Sequence, residues 1–235
     1  MSESAAPLRT RGVPKLDEPR WHIGIAIVVA LVLYTLLPPR LTLGPTWVAP
    51  VLVLVFLIPL QLSEPLHRGT ERAVRIWTLV LIGILNFFNL YSVVLLIDDL
   101  VNHHAKHYGV GAPELLGSGA LIWSTNVIVY ALWFYSFDSG GPAVRARYSS
   151  ARAFPSADFL FPQMVIDEKR VVCADVGWKP LLLDYVYLAF TNALAFSPTD
   201  TMPLSRWAKV LMLIESLISF VTVGLILARS VNILS

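Results

Sequence analysis

Residues 181–200 read LLLDYVYLAFTNALAFSPTD, and the architecture of the chain turns on whether this stretch crosses a bilayer or folds back inside it. Its apolar run, 181–197, lies at the lower limit for a helix that must span about 30 Å of hydrocarbon at roughly 1.5 Å per residue. Asp184, Thr191 and Asn192 interrupt the run, and Pro198 closes it. A complete crossing and a re-entrant half-helix fit these residues equally. Irregular backbone is tolerated at membrane depth wherever protein or water covers it.

On either side the apolar runs are clearer, at 21–37, 47–62, 76–97, 116–137 and 207–234. With 56% of 235 residues hydrophobic and only 14% charged, the composition excludes one ordinary soluble domain. The expected fold class is all-α, a polytopic transmembrane helical bundle of five spans plus a short sixth span or a re-entrant pore-like helix. It divides into a cytoplasmic N-terminal tail (1–20), a four-helix transmembrane region (21–137), a polar loop or small cap (138–180) and a pore-like helical hairpin (181–235). The run 21–37 has no small-x-small cleavage signal at its exit and reads as a retained signal anchor. Pro50 and Pro59 predict a kinked second helix. Trp21, Trp47, Trp77, Trp178 and Trp207 sit at run edges, where indole rings anchor at the headgroup level. In the cap, Gly140-Gly141-Pro142 reads as a turn and 159–166 as a short half-apolar piece able to pair as a strand.

Charge sets the orientation. With six crossings and the N-terminus in the cytoplasm, fourteen Lys and Arg fall inside, and Arg40, Lys106, Arg206 and Lys209 fall outside. That bias predicts a multi-pass protein of the plasma (inner) membrane with both termini cytoplasmic. The same distribution gives no support to a nucleic-acid partner. The single cysteine, Cys173, excludes an internal disulfide framework. The absence of a phosphate loop, a His-Glu-x-x-His helix or a Gly-x-Ser-x-Gly elbow argues against an enzyme, and no cofactor is expected.

Polar residues inside apolar runs are the candidates for function. Glu215, Ser219 and Thr222 recur at i, i+4 and i+7, so they share one face of the last helix. An ionisable residue at that depth marks a cavity, an ion path or a paired partner such as Asn126. Asn86, Asn89 and Asn126 read as interhelical hydrogen-bonding glue. Beyond the third run, Asp99, His103 and His107 fall on one helical face and form a weak zinc-type candidate. As imidazoles at the headgroups, those histidines also suit pH sensing. Thr199 or Asp200 at the Ser197-Pro198-Thr199-Asp200 turn is placed to cap the following helix.

The stretch from Asp184 to Asp200 resembles, without a gap, the pore segment of tetrameric potassium channels. Tyr187 and Phe190 match the pore-helix aromatics, Ala195 and Phe196 occupy the Thr-Val positions of the filter, and Ser197-Pro198-Thr199 replace its Gly-Tyr-Gly. Asp200 and Pro203 match outright. A potassium filter needs glycine dihedrals to stack its carbonyls on the ion, and Pro198 forbids them, so potassium selectivity is not expected. The same stretch, with Asp158-Phe-Leu-Phe-Pro162, is similar to an uncharacterised bacterial polytopic membrane protein family. The channel resemblance implies a filter-like set of Thr191, Asn192, Ser197, Pro198, Thr199 and Asp200, with oxygen ligands from Ser197, Thr199 and Thr191, cations concentrated by the charges of Asp200 and Glu215, and an inner-helix stripe of Glu215, Ser219 and Thr222. It would also put the cap outside, against the charge count, unless a span is miscounted or the hairpin is inverted.

The functional expectation is an ion-channel-like pore of weak cation selectivity, a homo-oligomer in the lipid bilayer, tetrameric if channel-like, passing monovalent cations. The alternatives are a non-conducting scaffold or accessory subunit and a metal- or proton-coupled carrier using Glu215 and the histidines.

Overall fold

The computed structural model describes residues 21–62, 70–101, 112–148, 150–154, 156–165, 178–195, 197 and 200–234. These are mostly helical. The long elements are α1 (Trp21–Thr35), α2 (Val48–Leu62), α3 (Thr70–Val101) and α4 (Ala112–Phe137). Short pieces follow: α5 (Pro142–Arg145), strand β1 (Phe159–Leu160) and α6 (Pro162–Val165). The chain then forms α7 (Leu182–Ala195), strand β2 (Met202–Pro203) and α8 (Arg206–Leu234). Among the described residues three helices, covering Arg72–Val101, Pro113–Gly140 and Arg206–Ala228, are long and apolar enough to cross a membrane.

Side-chain contacts give each helix its direction. At one end Arg40, just after α1, reaches Asp99 of α3 (3.4 Å) and Glu114 of α4 (2.9 Å). At the other end Arg75 of α3, Phe137 of α4, Asp158 and Trp207 of α8 line one cleft. We call these the Arg40 end and the cap end. Helices α1, α3 and α8 run towards the Arg40 end; α2 and α4 run back.

Helix α7 decides the count. Its Tyr185 stacks edge-on against Tyr135 of α4, and its Phe190 against Trp123, so α7 runs antiparallel to α4. Helix α8 does the same, starting beside Phe137 and placing Ser219 on Asn126 and Ile226 on Gly119. Two helices antiparallel to a third are parallel to each other, so the chain must come back between them. It does: β2 pairs antiparallel with β1, Phe159 opposite Pro203 and Leu160 opposite Met202. The amide of Leu204 also donates to Asp158 O (2.8 Å). Helix α7 therefore leaves the cap end and the chain returns to it. Among the described residues α1, α2, α3, α4 and α8 run between the two ends, whereas α7 and the strand that follows it both begin at the cap end.

Helix α2 runs through Val48–Leu62 with Pro50 in its first turn, where a missing N–H costs no helical bond, and Pro59 inside it. Helix α3 is longer than its apolar run and carries Asp99 inside it. The cap of α8 is neither Thr199 nor Asp200: Ser205 Oγ accepts from the Ala208 amide at 3.1 Å, the N-cap to N3 geometry.

The core divides in two. Tyr130, Phe134, Phe159 and Tyr185 fill the cap half, and Tyr34, Phe88, Ile122 and Ile226 fill the other. The outside is apolar too, with Leu183, Leu194, Leu213 and Leu217 exposed, the pattern of helices solvated by lipid. Four of the edge tryptophans, Trp21, Trp47, Trp77 and Trp207, are exposed there as well.

At Gly119 the α4–α8 contact is so close that a Cβ would overlap Ile226 Cδ1. Gly119→Val should therefore separate the two helices and destabilise the fold by about 1–3 kcal/mol. The apparent melting temperature in detergent measures this, and Gly83→Val, where a Cβ meets nothing within 4 Å, is the control.

Candidate functional site

The site is built from the cap end inwards. Helix α4 stops at a left-handed turn, with positive φ at Ser139 (54°), Gly140 (81°) and Gly141 (96°). Two glycines adopt this at little cost, whereas Ser139 must be held there. Its amide donates to Asp158 Oδ2 (3.1 Å) and its hydroxyl to Asp138 Oδ1 (3.1 Å). Asp138, 1% exposed, also accepts from the amides of Asp158 (2.9 Å) and Phe159 (3.3 Å) and from the Tyr185 hydroxyl (2.5 Å). Arg145 completes the knot. Its Nη1 donates to the carbonyls of Tyr135 (2.8 Å) and Asp138 (2.7 Å), and its guanidinium lies over the rings of Tyr135 and Tyr185 at 4.6 and 5.3 Å. A helix end that points its unpaired carbonyls into protein needs such a cation.

This knot fixes where α7 begins. Asp184, at the third helical position, accepts from the Leu181 amide (2.7 Å) and so closes the first turn. Tyr185, Leu188, Ala189, Asn192 and Ala193 then form the buried face, with alanines where the neighbouring backbones come close. Ten residues after Leu182, Asn192 meets α8. Its amide donates to Met212 O (3.0 Å) and to Glu215 Oε2 (2.7 Å). Ser216 donates to the Asn192 carbonyl (3.4 Å), one of the last carbonyls of α7.

Glu215 is 0% exposed, and its Oε1 has no hydrogen-bond partner among the described residues. One turn further along α8, Ser219 Oγ accepts from Asn126 (3.2 Å), whose Oδ1 accepts from Asn89 (3.2 Å). Stepping one turn back towards the cap end on each of these helices reaches Asn86, Tyr130 and Glu215. Asn86 hydrogen-bonds the Tyr130 hydroxyl, which lies within electrostatic reach of Glu215. The buried polar groups are thus stacked in two rows, Asn89–Asn126–Ser219 and Asn86–Tyr130–Glu215, and Asn192 approaches the second from α7.

Some sequence candidates converge here and others do not. Glu215, Ser219 and Asn192 come together; the partner of Glu215 is Asn192, and Asn126 instead holds Ser219. Thr222 is buried on the same face and donates to Ile218 O (2.7 Å) within its own helix. Thr191 likewise spends its hydroxyl on Tyr187 O (2.9 Å) and Leu188 O (3.0 Å). Ser197 and Asp200 are exposed, away from this row. Pro198 and Thr199 lie outside the described residues, as do His103 and His107; Asp99 pairs with Arg40. The stripe that was read as facing a central pore faces α4 and α7 of its own chain. Among the described residues no group of three His, Cys, Asp or Glu gathers.

Asp138, Tyr185, Tyr135 and Tyr130 were missed. One signal for Asp138 was available, since a carboxylate at a helix C-terminus opposes the macrodipole and must be paid back by specific donors.

No family model, curated protein or solved structure matches this chain.

Asp138→Ala would strand the Tyr185 hydroxyl and the amides of Asp158 and Phe159. The expected loss is about 1–3 kcal/mol for each donor left buried without a partner, read as a fall in apparent melting temperature. Arg147→Ala, an exposed cation in the same loop, should leave it nearly unchanged.

Proposed function

We propose that this chain is an integral membrane protein that moves a small cation or a proton by an occluded, carrier-like route through a site within one protomer. The observation that carries this is Glu215, fully buried at the tip of a helix that enters and leaves at the same end of the bundle. Ionisable groups are rare inside membranes and serve ion paths or proton relays. Discontinuous helices that end at mid-membrane are the usual way to bring backbone carbonyls to such a group. No ion pair reaches Glu215 among the described residues, so the group is not explained as half of a structural salt bridge.

The charge distribution supports the same layout. With five crossings, Arg206 and Lys209 join the cap end and Arg229 joins the other, so fifteen of the eighteen Lys and Arg attach to the cap end. The cap end is then cytoplasmic, the N-terminus lies inside and α8 runs outwards. Helix α7 enters from the cytoplasm, an inverted hairpin relative to the channel resemblance, and the conflict between loop placement and charge disappears.

A carrier is favoured over a tetrameric pore because the polar stripe of α8 is closed off by α4 and α7. The opposite face of α8 presents Leu213, Leu217 and Phe220. Such a face suits lipid or a second copy and offers nothing to a hydrated ion.

Orientation is tested by labelling single cysteines in a Cys173→Ser background with a membrane-impermeant maleimide. Arg152→Cys and Ser205→Cys should both react only after permeabilisation, and Gly44→Cys without it; Ser205→Cys reacting from outside would mean that α7 crosses. Transport is tested in proteoliposomes under an imposed cation or pH gradient. Wild-type protein should dissipate the gradient, and Glu215→Gln should fall to the rate of protein-free vesicles. Folded wild type that moves nothing would leave the scaffold or accessory-subunit alternative.

A further inference from the structure

The cleft at the cap end holds one cation and one carboxylate that do not pair. Arg75 of α3, Phe137, Gly140 and Asp158 line it together with Trp207 and Leu211 of α8, around a volume of about 240 Å³. Pockets that enclose a whole small molecule run to roughly 300–1,000 Å³, so this one suits the polar end of a ligand whose remainder lies elsewhere. Both charged groups adjoin the left-handed turn that ends α4. Asp158 Oδ2 accepts from the Ser139 amide at 3.1 Å, and a Cβ built on Gly141 would stand 3.9 Å from Arg75 Nε. No ion pair joins the two, and Arg75 meets no other carboxylate among the described residues. The cleft also sits at headgroup depth. Arg75 and Trp207 lie in the first turns of the apolar stretches Arg72–Val101 and Arg206–Ala228, and the indoles of Trp77 and Trp207 are exposed there. Further along, both helices turn aliphatic side chains outward, Val80 on α3 and Val210 and Ile214 on α8.

We infer that this cleft binds the headgroup of a phospholipid carrying both a phosphate and a primary ammonium, the phosphate on Arg75 and the ammonium on Asp158. Charge complementarity selects the occupant. A guanidinium presents a planar fork of donors that matches phosphate oxygens. A headgroup with phosphate alone would satisfy that fork and bring a like charge up to Asp158. It is the poorer match, even though Arg72, Arg206 and Lys209 make the surrounding surface basic. A primary ammonium offers three donors to the carboxylate. A quaternary one offers none. Opposite charges that are not in contact each keep their own desolvation cost, and a zwitterion lying between them offsets both at once. Phe137 and Leu211 then give the glycerol and the first methylenes an apolar wall.

The test is thermal unfolding of the full chain in detergent, titrated with phosphatidylethanolamine, phosphatidylcholine or phosphatidylglycerol of identical acyl chains, and separately with water-soluble phosphoethanolamine. Phosphatidylethanolamine should raise the melting temperature saturably, with a midpoint about tenfold or more below those of the other two lipids. Arg75→Gln should erase this advantage. Asp158→Asn, which keeps an oxygen for the Ser139 amide, should hand the advantage to phosphatidylglycerol by removing the opposing charge. Arg75 is exposed, so its variant still decides the matter should Asp158→Asn fail to fold. Equal stabilisation by all three lipids, a lead for phosphatidylglycerol in the wild type, or a phosphatidylethanolamine advantage that survives Arg75→Gln would each overturn the site. If phosphoethanolamine alone matches the lipid, the cleft takes a water-borne zwitterion and the lipid assignment falls. None of these readouts involves Glu215, so the transport function stands or falls separately.

Discussion

A carboxylate taken out of water must be given donors, and Asp138 receives them from three separate parts of the chain: the turn that ends α4, the first residues of β1, and Tyr185 of α7. Each donor is useful for a different reason. The turn bond holds Ser139 in a left-handed conformation; the strand bonds dock β1, which then pairs with β2; the tyrosine bond sets the depth at which α7 starts. Remove the carboxylate and three placements lose their common origin. Everything deeper in the bundle inherits that depth, because α7 is short and its Asn192 meets Glu215 only if Tyr185 is held at the surface end.

Apolar run length and Trp edges made the helices legible in advance, since a bilayer demands long greasy stretches and marks their limits. The ambiguous element was the one whose length sat at the threshold. Nothing local to 181–197 separates a short crossing from a half-helix, because the difference lies in where the following residues pair. That pairing is a two-residue strand, Met202–Pro203 against Phe159–Leu160, far too brief to announce itself by alternation. Helical spacing correctly gathered Glu215, Ser219 and Thr222 on one face. Spacing could not say what that face looks at, and the potassium-channel resemblance supplied an oligomer axis where the fold supplies α4 and α7. Tyr130 was overlooked for a related reason: an aromatic in an apolar run reads as core until its hydroxyl is seen beside Asn86.

Two rows of polar side chains, one helical turn apart, explain how amides and a carboxyl coexist with a core of Tyr, Phe and Leu. Interhelical hydrogen bonds in membranes are individually modest, on the order of 0.6 kcal/mol. Their value here is in alignment. Asn89, Asn126 and Ser219 bond in sequence from α3 to α4 to α8, which locks the axial position of three helices and so brings Asn86, Tyr130 and Glu215 level.

The regular spacing of those rows leaves α8 with a second possible seat. A slide of about 5.4 Å, one helical turn towards the Arg40 end, would carry Glu215 from the level of Asn86 and Tyr130 to that of Asn89 and Asn126, an amide for an amide and an amide for a phenol. The bonds of Asn126 to Ser219 and of Asn192 to Glu215 oppose the slide, and the close fit of Ile226 over Gly119 adds to them, so hydrogen bonds and a missing side chain together keep this helix in its present notch.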